Sequence, residues 1–361
     1  MYLFETIDSI IKSGLVQVPT VPEYISDNLS KNIKLREYQK EALIHTFMYL
    51  DSELSKNKQT HILYHMATGS GKTVIMAMNI LYFYKKGYRN FIFFTNRTNI
   101  VSKTMINFSK KESSKYLFSE RITIDGKYVP INIVDSFSES EKDSINICFN
   151  TVQGIQSSLN ILHEGRLDIS DFEDEKVVLI ADEAHHLNTT TIKDKAENED
   201  NRSWEDTVFK MLLANKDNVL LEYTATCDLR DKNVEAKYKD KIIYNFSLKK
   251  FREAGYTKEF SNYQSSGDKF IRTLQALIMS EFRKLMFEKK GISIKPVVLL
   301  KSKTIKDSNL FYEEFYEKIN NLDESVISTI KSNAASNIFL ENAFNFFDKI
   351  NLTITKLIDL I

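Results

Sequence analysis

His61-Ile-Leu-Tyr-His-Met-Ala-Thr-Gly-Ser-Gly-Lys72-Thr73 is the most informative stretch of this chain. Residues 62–66 have the length and the β-branched and aromatic content of a buried strand, and a helical pattern opens at Lys72. Between them lies a glycine-rich turn. In that context the turn has a mechanism: glycines let backbone N–H groups approach phosphate oxygens, and the helix N-terminus favours the anion. Lys72 is then placed to reach the β and γ phosphates and the Thr73 hydroxyl to ligate Mg²⁺. The strict pattern wants glycine where Met66 stands, but Ala67, Thr68, Gly69, Ser70, Gly71, Lys72 and Thr73 keep the part that wraps the phosphates.

Outward from this loop, short apolar runs alternate with helical stretches. Residues 91–95, 145–149, 177–181 and 219–224 are further strand candidates, which predicts an α/β parallel sheet. Residues 122–124 and 128–134 flank Asp125-Gly126 and read as an inserted hairpin. The run at 177–181 ends in Asp182-Glu183-Ala184-His185-His186. Ligand sites in open α/β sheets lie at the carboxyl ends of strands. Asp182 is assigned to Mg²⁺, and Glu183 to orienting and deprotonating the attacking water. His185 is the candidate relay from the nucleotide to another site and His186 is read as structural. Adjacent histidines on a strand exit point in opposite directions and chelate one metal poorly. Residues 188–203 are polar and charge-rich and read as an exposed, mobile loop.

Composition limits the alternatives. The 361 residues are 42% hydrophobic and 27% charged, which suits about two folded domains. Forty-nine Lys+Arg balance 49 Asp+Glu, so a nucleic-acid contact has to come from a local surface and not from an overall field. Two cysteines, Cys148 and Cys227, are too few for a disulfide framework or a thiolate zinc site. Residues 1–14 carry Glu5 and Asp8 with no basic start, and no apolar run of about 18 residues exists. The expectation is a cytoplasmic protein with no membrane partner.

At this point the motifs carry a family. Residues 67–73, Asp182–His185 and Thr224-Ala225-Thr226 resemble motifs I, II and III of superfamily 2 DEAD/DEAH-box helicases, in order. Leu35-Arg36-Glu37-Tyr38-Gln39 resembles the glutamine motif upstream of the phosphate loop. Residues 94–100 resemble motif Ia, 149–153 motif Ib and 295–303 motif IV. The wording of motifs Ia, II and IV is similar to the restriction (Res) subunit of type III restriction-modification enzymes.

The resemblance implies a RecA-like parallel sheet with flanking helices, a P-loop NTPase, followed by the start of a second, mostly helical and incomplete RecA-like domain. It implies ATP and Mg²⁺ as cofactors, with Arg36 and Gln39 at the base and Thr68 to Thr73 at the phosphates. It places single- or double-stranded DNA against Thr95, Asn96, Arg97, Asn150, Thr151, Gln153, Lys301 and Ser302. Thr224 and Thr226 would couple the two sites. A modification methyltransferase subunit is the protein partner it suggests.

The boundaries expected are 1–54 for a lead-in with the glutamine motif, 55–258 for the ATP-binding domain and 259–361 for the partial second domain. Residues 270–289 and everything from Thr304 onward read as helical, with 296–300 as one more strand. The last arginine is Arg283 and the last glycine Gly291, so motifs V and VI are expected to be missing and the chain reads as the front of a longer motor. An ATP-binding module without motor activity, and an RNA helicase, are the alternatives.

Overall fold

A computed structural model of the chain describes all residues except 161–164, 185–194, 258–261 and 266, with residues 195–203 described by their backbone alone. The chain divides into two compact units, Met1–Lys258 and Glu259–Ile361, so residues 1–54 lie within the first. The strands are β1 (Thr60–Met66), β2 (Asn90–Thr95), β3 (Thr123–Ile124), β4 (Lys127–Tyr128), β5 (Ile131–Ile133), β6 (Ile145–Thr151), β7 (Val177–Asp182), β8 (Val219–Thr224) and β9 (Ile242–Phe246). The helices of the first unit are α1 (Leu3–Ser13), α2 (Glu23–Ser26), α3 (Glu37–Leu50), α4 (Lys72–Lys85), α5 (Thr98–Ser109), α6 (Val152–Asn160), α7 (Ser170–Glu173), α8 (Lys195–Ala214), α9 (Lys232–Tyr238) and α10 (Leu248–Glu253).

Seven strands form one parallel sheet in the order β5-β6-β2-β7-β8-β1-β9. Alternate residues of each strand enter opposite cores, as the period of two requires. Ile62, Tyr64, Phe91, Phe93, Val178, Ile180, Val219 and Leu221 pack in the core shared with α3, α4 and α5. Leu63, Ile92, Phe94, Val177, Leu179 and Leu220 pack in the other, shared with α6, α8 and α9. Both faces are covered, which is why these strands read as largely apolar runs; Glu222 of β8, the charged exception, is buried against His61 Nε2 (2.6 Å). β3 and β4 form the expected hairpin, while β5 leaves it to join the edge of the main sheet. The amino-terminal segment is tied to the sheet near β9: Leu3 N donates to Lys239 O (3.0 Å), and His45 Nδ1 lies 3.0 Å from Ile243 O.

Two readings are corrected. Residues 195–203, read as loop, begin helix α8; 188–194 lie outside the described residues. The segment Lys195-Ala-Glu-Asn-Glu-Asp contains no Gly or Pro and four good helix formers, so its polarity does not disfavour a helix. Residues 296–300 form no strand, and Val297 and Leu299 are 86% and 90% exposed. A strand needs a neighbour for its backbone groups, and the second unit offers none among the described residues. That unit consists of α11 (Lys269–Lys289), α12 (Ile305–Asn320), α13 (Glu324–Ser332), α14 (Ile338–Lys349) and α15 (Ile354–Leu360). Its core joins Leu274 and Ile278 to Ile327, Leu340, Phe344, Phe347 and Leu357. No helix among the described residues is long and apolar enough to cross a membrane.

Candidate functional site

Five adjacent strands, β6, β2, β7, β8 and β1, deliver their carboxyl ends to one edge of the sheet. In that order they carry Asn150–Gln153, Thr95–Arg97, Asp182-Glu183, Thr224–Thr226 and the phosphate loop. Parallel pairing aligns them: Phe94 with Asn150 and Ala181, Asp182 with Tyr223, His65 with Thr224. Motifs up to about 160 residues apart in sequence therefore share one rim because the strands run the same way.

β1 ends at Met66 and α4 begins at Lys72, with Gly69 and Gly71 both left-handed (φ 79° and 81°). Only glycine adopts that backbone without strain. Lys72 Nζ donates to the Met66 carbonyl (3.3 Å), folded back over the end of β1. Ser70 Oγ is buried without a hydrogen-bond partner among the described residues. An unpartnered hydroxyl inside a glycine turn at a helix N-terminus fits a polar, anionic occupant. Thr68 and Gly69 are exposed, and Thr73 is half-buried.

The glutamine motif braces this loop. Gln39 Nε2 and the Tyr38 hydroxyl both donate to the Ser70 carbonyl (3.0 and 2.8 Å). Gln39 Oε1 accepts from Arg36 N (3.0 Å), so both ends of its amide are engaged. Arg36 donates to the Tyr38 hydroxyl (2.9 Å) and lies over the Tyr256 ring, 4.8 Å from its centroid. Tyr38 reads in the sequence as a core position on a helical stripe; Tyr256 carries no sequence signal. A Cβ on Gly71 would lie 2.5 Å from Gln39 Nε2. Gly71→Ala is therefore expected to destabilise the protein by about 2–3 kcal/mol, from left-handed strain and loss of the Gln39–Ser70 bond. Urea unfolding checks this, and Gln39→Ala in the same chain should return only the steric part. Wild-type stability of Gly71→Ala would show that Gln39 is not a brace.

At the end of β7, Asp182 accepts a hydrogen bond from Glu183 N (3.0 Å). Burial pushes the Asp182 carboxyl up to about 6 against the pull of Lys72, and the Glu183 charge adds to the rise. Glu183 has φ 56°, a left-handed backbone that is costly for a residue with a side chain and that clusters at functional sites. His185 and His186 lie outside the described residues. Thr224 is buried and Thr226 exposed; the Thr224 hydroxyl accepts from Thr226 N (3.1 Å) and donates to Thr226 O (3.0 Å), closing a tight local turn. Beneath them is a buried link that sequence reasoning missed: Asn79 of α4 donates to the hydroxyls of Tyr64 (2.9 Å) and Tyr223 (2.8 Å), one residue short of His65 and Thr224. Burial pushes the His65 imidazole below its ordinary value.

Along the rest of the rim, Thr95 is buried, Asn96 half-buried and Arg97 exposed. Asn150 Oδ1 accepts from Thr151 N (2.8 Å) and Thr151 Oγ1 from Gly154 N (3.1 Å), so both residues help start α6, whereas Gln153 is exposed. Lys301 and Ser302 belong to the second unit, outside any helix or strand.

A family model described as "Type III restriction enzyme, res subunit" matches residues 32–229. The probable type III restriction-modification enzyme HindVIP Res subunit of Haemophilus influenzae is 38% identical over 344 residues, covering 88% of this chain and 66% of that protein. The chain thus spans just under two thirds of that relative's length. Among solved structures, the UvsW helicase of bacteriophage T4 is 14% identical, with 68% of this chain and 77% of that one covered and a TM-score of 0.37. The Hef helicase domain of Pyrococcus furiosus is 15% identical, with 92% and 70% covered and a TM-score of 0.39.

Proposed function

The chain belongs to the type III restriction enzyme res subunit family, and from that premise we propose that it is the ATP-driven, DNA-tracking motor portion of a restriction enzyme. The observation that carries the reading is the convergence of the phosphate loop, Asp182-Glu183 and Thr224–Thr226 on one rim of a parallel sheet. A triphosphate would lie against the N-terminus of α4, held by the loop backbone and Lys72. The residues that would hold Mg²⁺ are Thr73 and Asp182; when bound, the ion neutralises charge on the phosphates. Glu183 orients water and takes its proton. Arg36, on the Gln39 side of the loop, would meet the base. Arg97 and Gln153, exposed on the neighbouring strand ends, would touch DNA phosphates without reading sequence. A modification methyltransferase subunit is the partner proposed.

One observation favours slow turnover by residues 1–361 alone. No arginine follows Arg283 among them, whereas motors of this kind use an arginine worth about 10³–10⁵ in rate. The test is ATP hydrolysis by this chain with duplex DNA, single-stranded DNA, RNA or none, Lys72→Ala serving as the blank. Nucleotide binding with weak turnover that DNA raises supports the reading. Stimulation by RNA alone moves the substrate to RNA, and absence of nucleotide binding sinks it. Glu183→Gln is expected to hold ATP as wild type does while slowing single-turnover hydrolysis about 10²–10⁴-fold; loss of ATP affinity in that variant would remove the role given to Glu183.

A further inference from the structure

We propose that the second unit carries a phosphodiester-binding cleft in which Lys269 and Arg272 of α11 act with Lys301 and Lys303. A cleft of about 450 Å³ is lined by these four cations together with Ser302 and Asp307. All four cations are exposed. The ion pairs of this unit join Lys284 to Glu281, Lys318 to Glu314 and Lys331 to Asp348; none, among the described residues, includes a cation of the cleft. Four positive side chains against one carboxylate is a marked local excess in a chain whose charges balance at 49 each.

Lys269 and Arg272 stand in the first turn of α11, whose N-cap Asp268 accepts the Ile271 N–H (2.8 Å) with its carboxylate. The macrodipole is positive there, and cations are unfavourable. α12 opens at the same cleft, where Thr304 caps the Asp307 N–H (3.1 Å). Asp268 and Asp307 each offset one helix end, but the four cations have no ion-pair partner among the described residues and repel one another, and an anion is the occupant that relieves this. The cations are long side chains on an open rim, and the cleft has no buried charged donor to enclose a small anion. That arrangement suits a chain of phosphates, gripped without sequence readout.

The inference rests on the reading of nucleic acid as substrate. To the sequence candidates Lys301 and Ser302 it adds Lys303 and the face of α11. It is tested on the whole 361-residue chain by fluorescence anisotropy of labelled single-stranded and duplex oligonucleotides between about 50 and 200 mM salt. Lys269→Gln/Arg272→Gln should lower the slope of log affinity against log salt by about 1.4 on single strands and 1.8 on duplex. Over that range the variant then loses about tenfold less affinity than wild type on duplex. An unchanged melting temperature shows that it is folded. Asp307→Asn should act oppositely, tightening binding about two- to fivefold.

Unchanged slopes in the double variant, with wild type binding and Arg97→Gln weakened, overturn the cleft and leave the DNA reading intact. No binding by wild type overturns both. Saturable calorimetric binding of inorganic phosphate that the double variant loses, with its DNA slope unaltered, overturns the proposal in favour of a small-anion site.

Discussion

Lys72→Ala is expected to remove ATP hydrolysis to background and to weaken ATP binding about 10- to 150-fold. The affinity loss follows from the 1.5–3 kcal/mol that a hydrogen bond to a charged group contributes. The rate loss is larger because charge develops on the transferring phosphoryl group, and removing one donor aimed at such charge costs a further ~10²–10³. Folding should survive: Lys72 is half-buried and its hydrogen bond is to the Met66 carbonyl, a group that water can replace. The discriminating measurement is the ratio of ATP to AMP affinity by calorimetry. The Arg36 side of the loop is untouched, so AMP binding should hold while ATP binding falls. Equal losses for both would mean that Lys72 supports the loop as a whole and does not reach the terminal phosphates.

The rim was legible because its signals are local. A phosphate loop needs its glycines, lysine and threonine in consecutive positions, and a strand buried on both faces announces itself by an unbroken apolar run, as at 177–181 and 91–94. What the sequence hid is non-local. β9 (Ile242–Phe246) has the same kind of residues but is interrupted by Asn245, and its place at the sheet edge relaxes the demand for apolar groups. Residues 296–300 have strand composition, yet composition cannot supply a neighbour to pair with. The Tyr38 and Gln39 brace on Ser70, the Arg36–Tyr256 contact and the Asn79 link to Tyr64 and Tyr223 join residues 15 to 220 positions apart. No periodicity encodes such pairs. The left-handed Glu183 is equally silent in sequence, since glutamate is a poor predictor of positive φ. It is the local rule broken at a functional position, which is where such exceptions are expected.

Asp182→Asn should make the nucleotide-free protein more stable and the enzyme inactive. Burial raises the Asp182 carboxyl from 3.8 to about 6. The folded state therefore holds this proton more tightly than the unfolded chain does. The stability it lends is complete below pH ~4 and is lost as pH rises through ~6; above that the ionised carboxylate is a standing cost. A two-unit rise corresponds to about 3 kcal/mol, which the partial exposure of Asp182 reduces to about 1–2. Asparagine carries no such charge. At pH 8 the variant should melt about 2–6 °C above wild type, and the gap should close on acidification through pH 6 to 4. The same change takes a charged ligand from the proposed Mg²⁺ site, where metal assistance is worth several kcal/mol, so hydrolysis should fall by about 10³-fold or more. Scanning calorimetry at pH 8 and pH 4, beside single-turnover hydrolysis, separates the outcomes. Lower stability at pH 8 would make Asp182 a structural group. Higher stability with hydrolysis retained would place the metal elsewhere. Stability gained and activity lost together would identify a carboxylate kept, against the fold's own preference, for the ion.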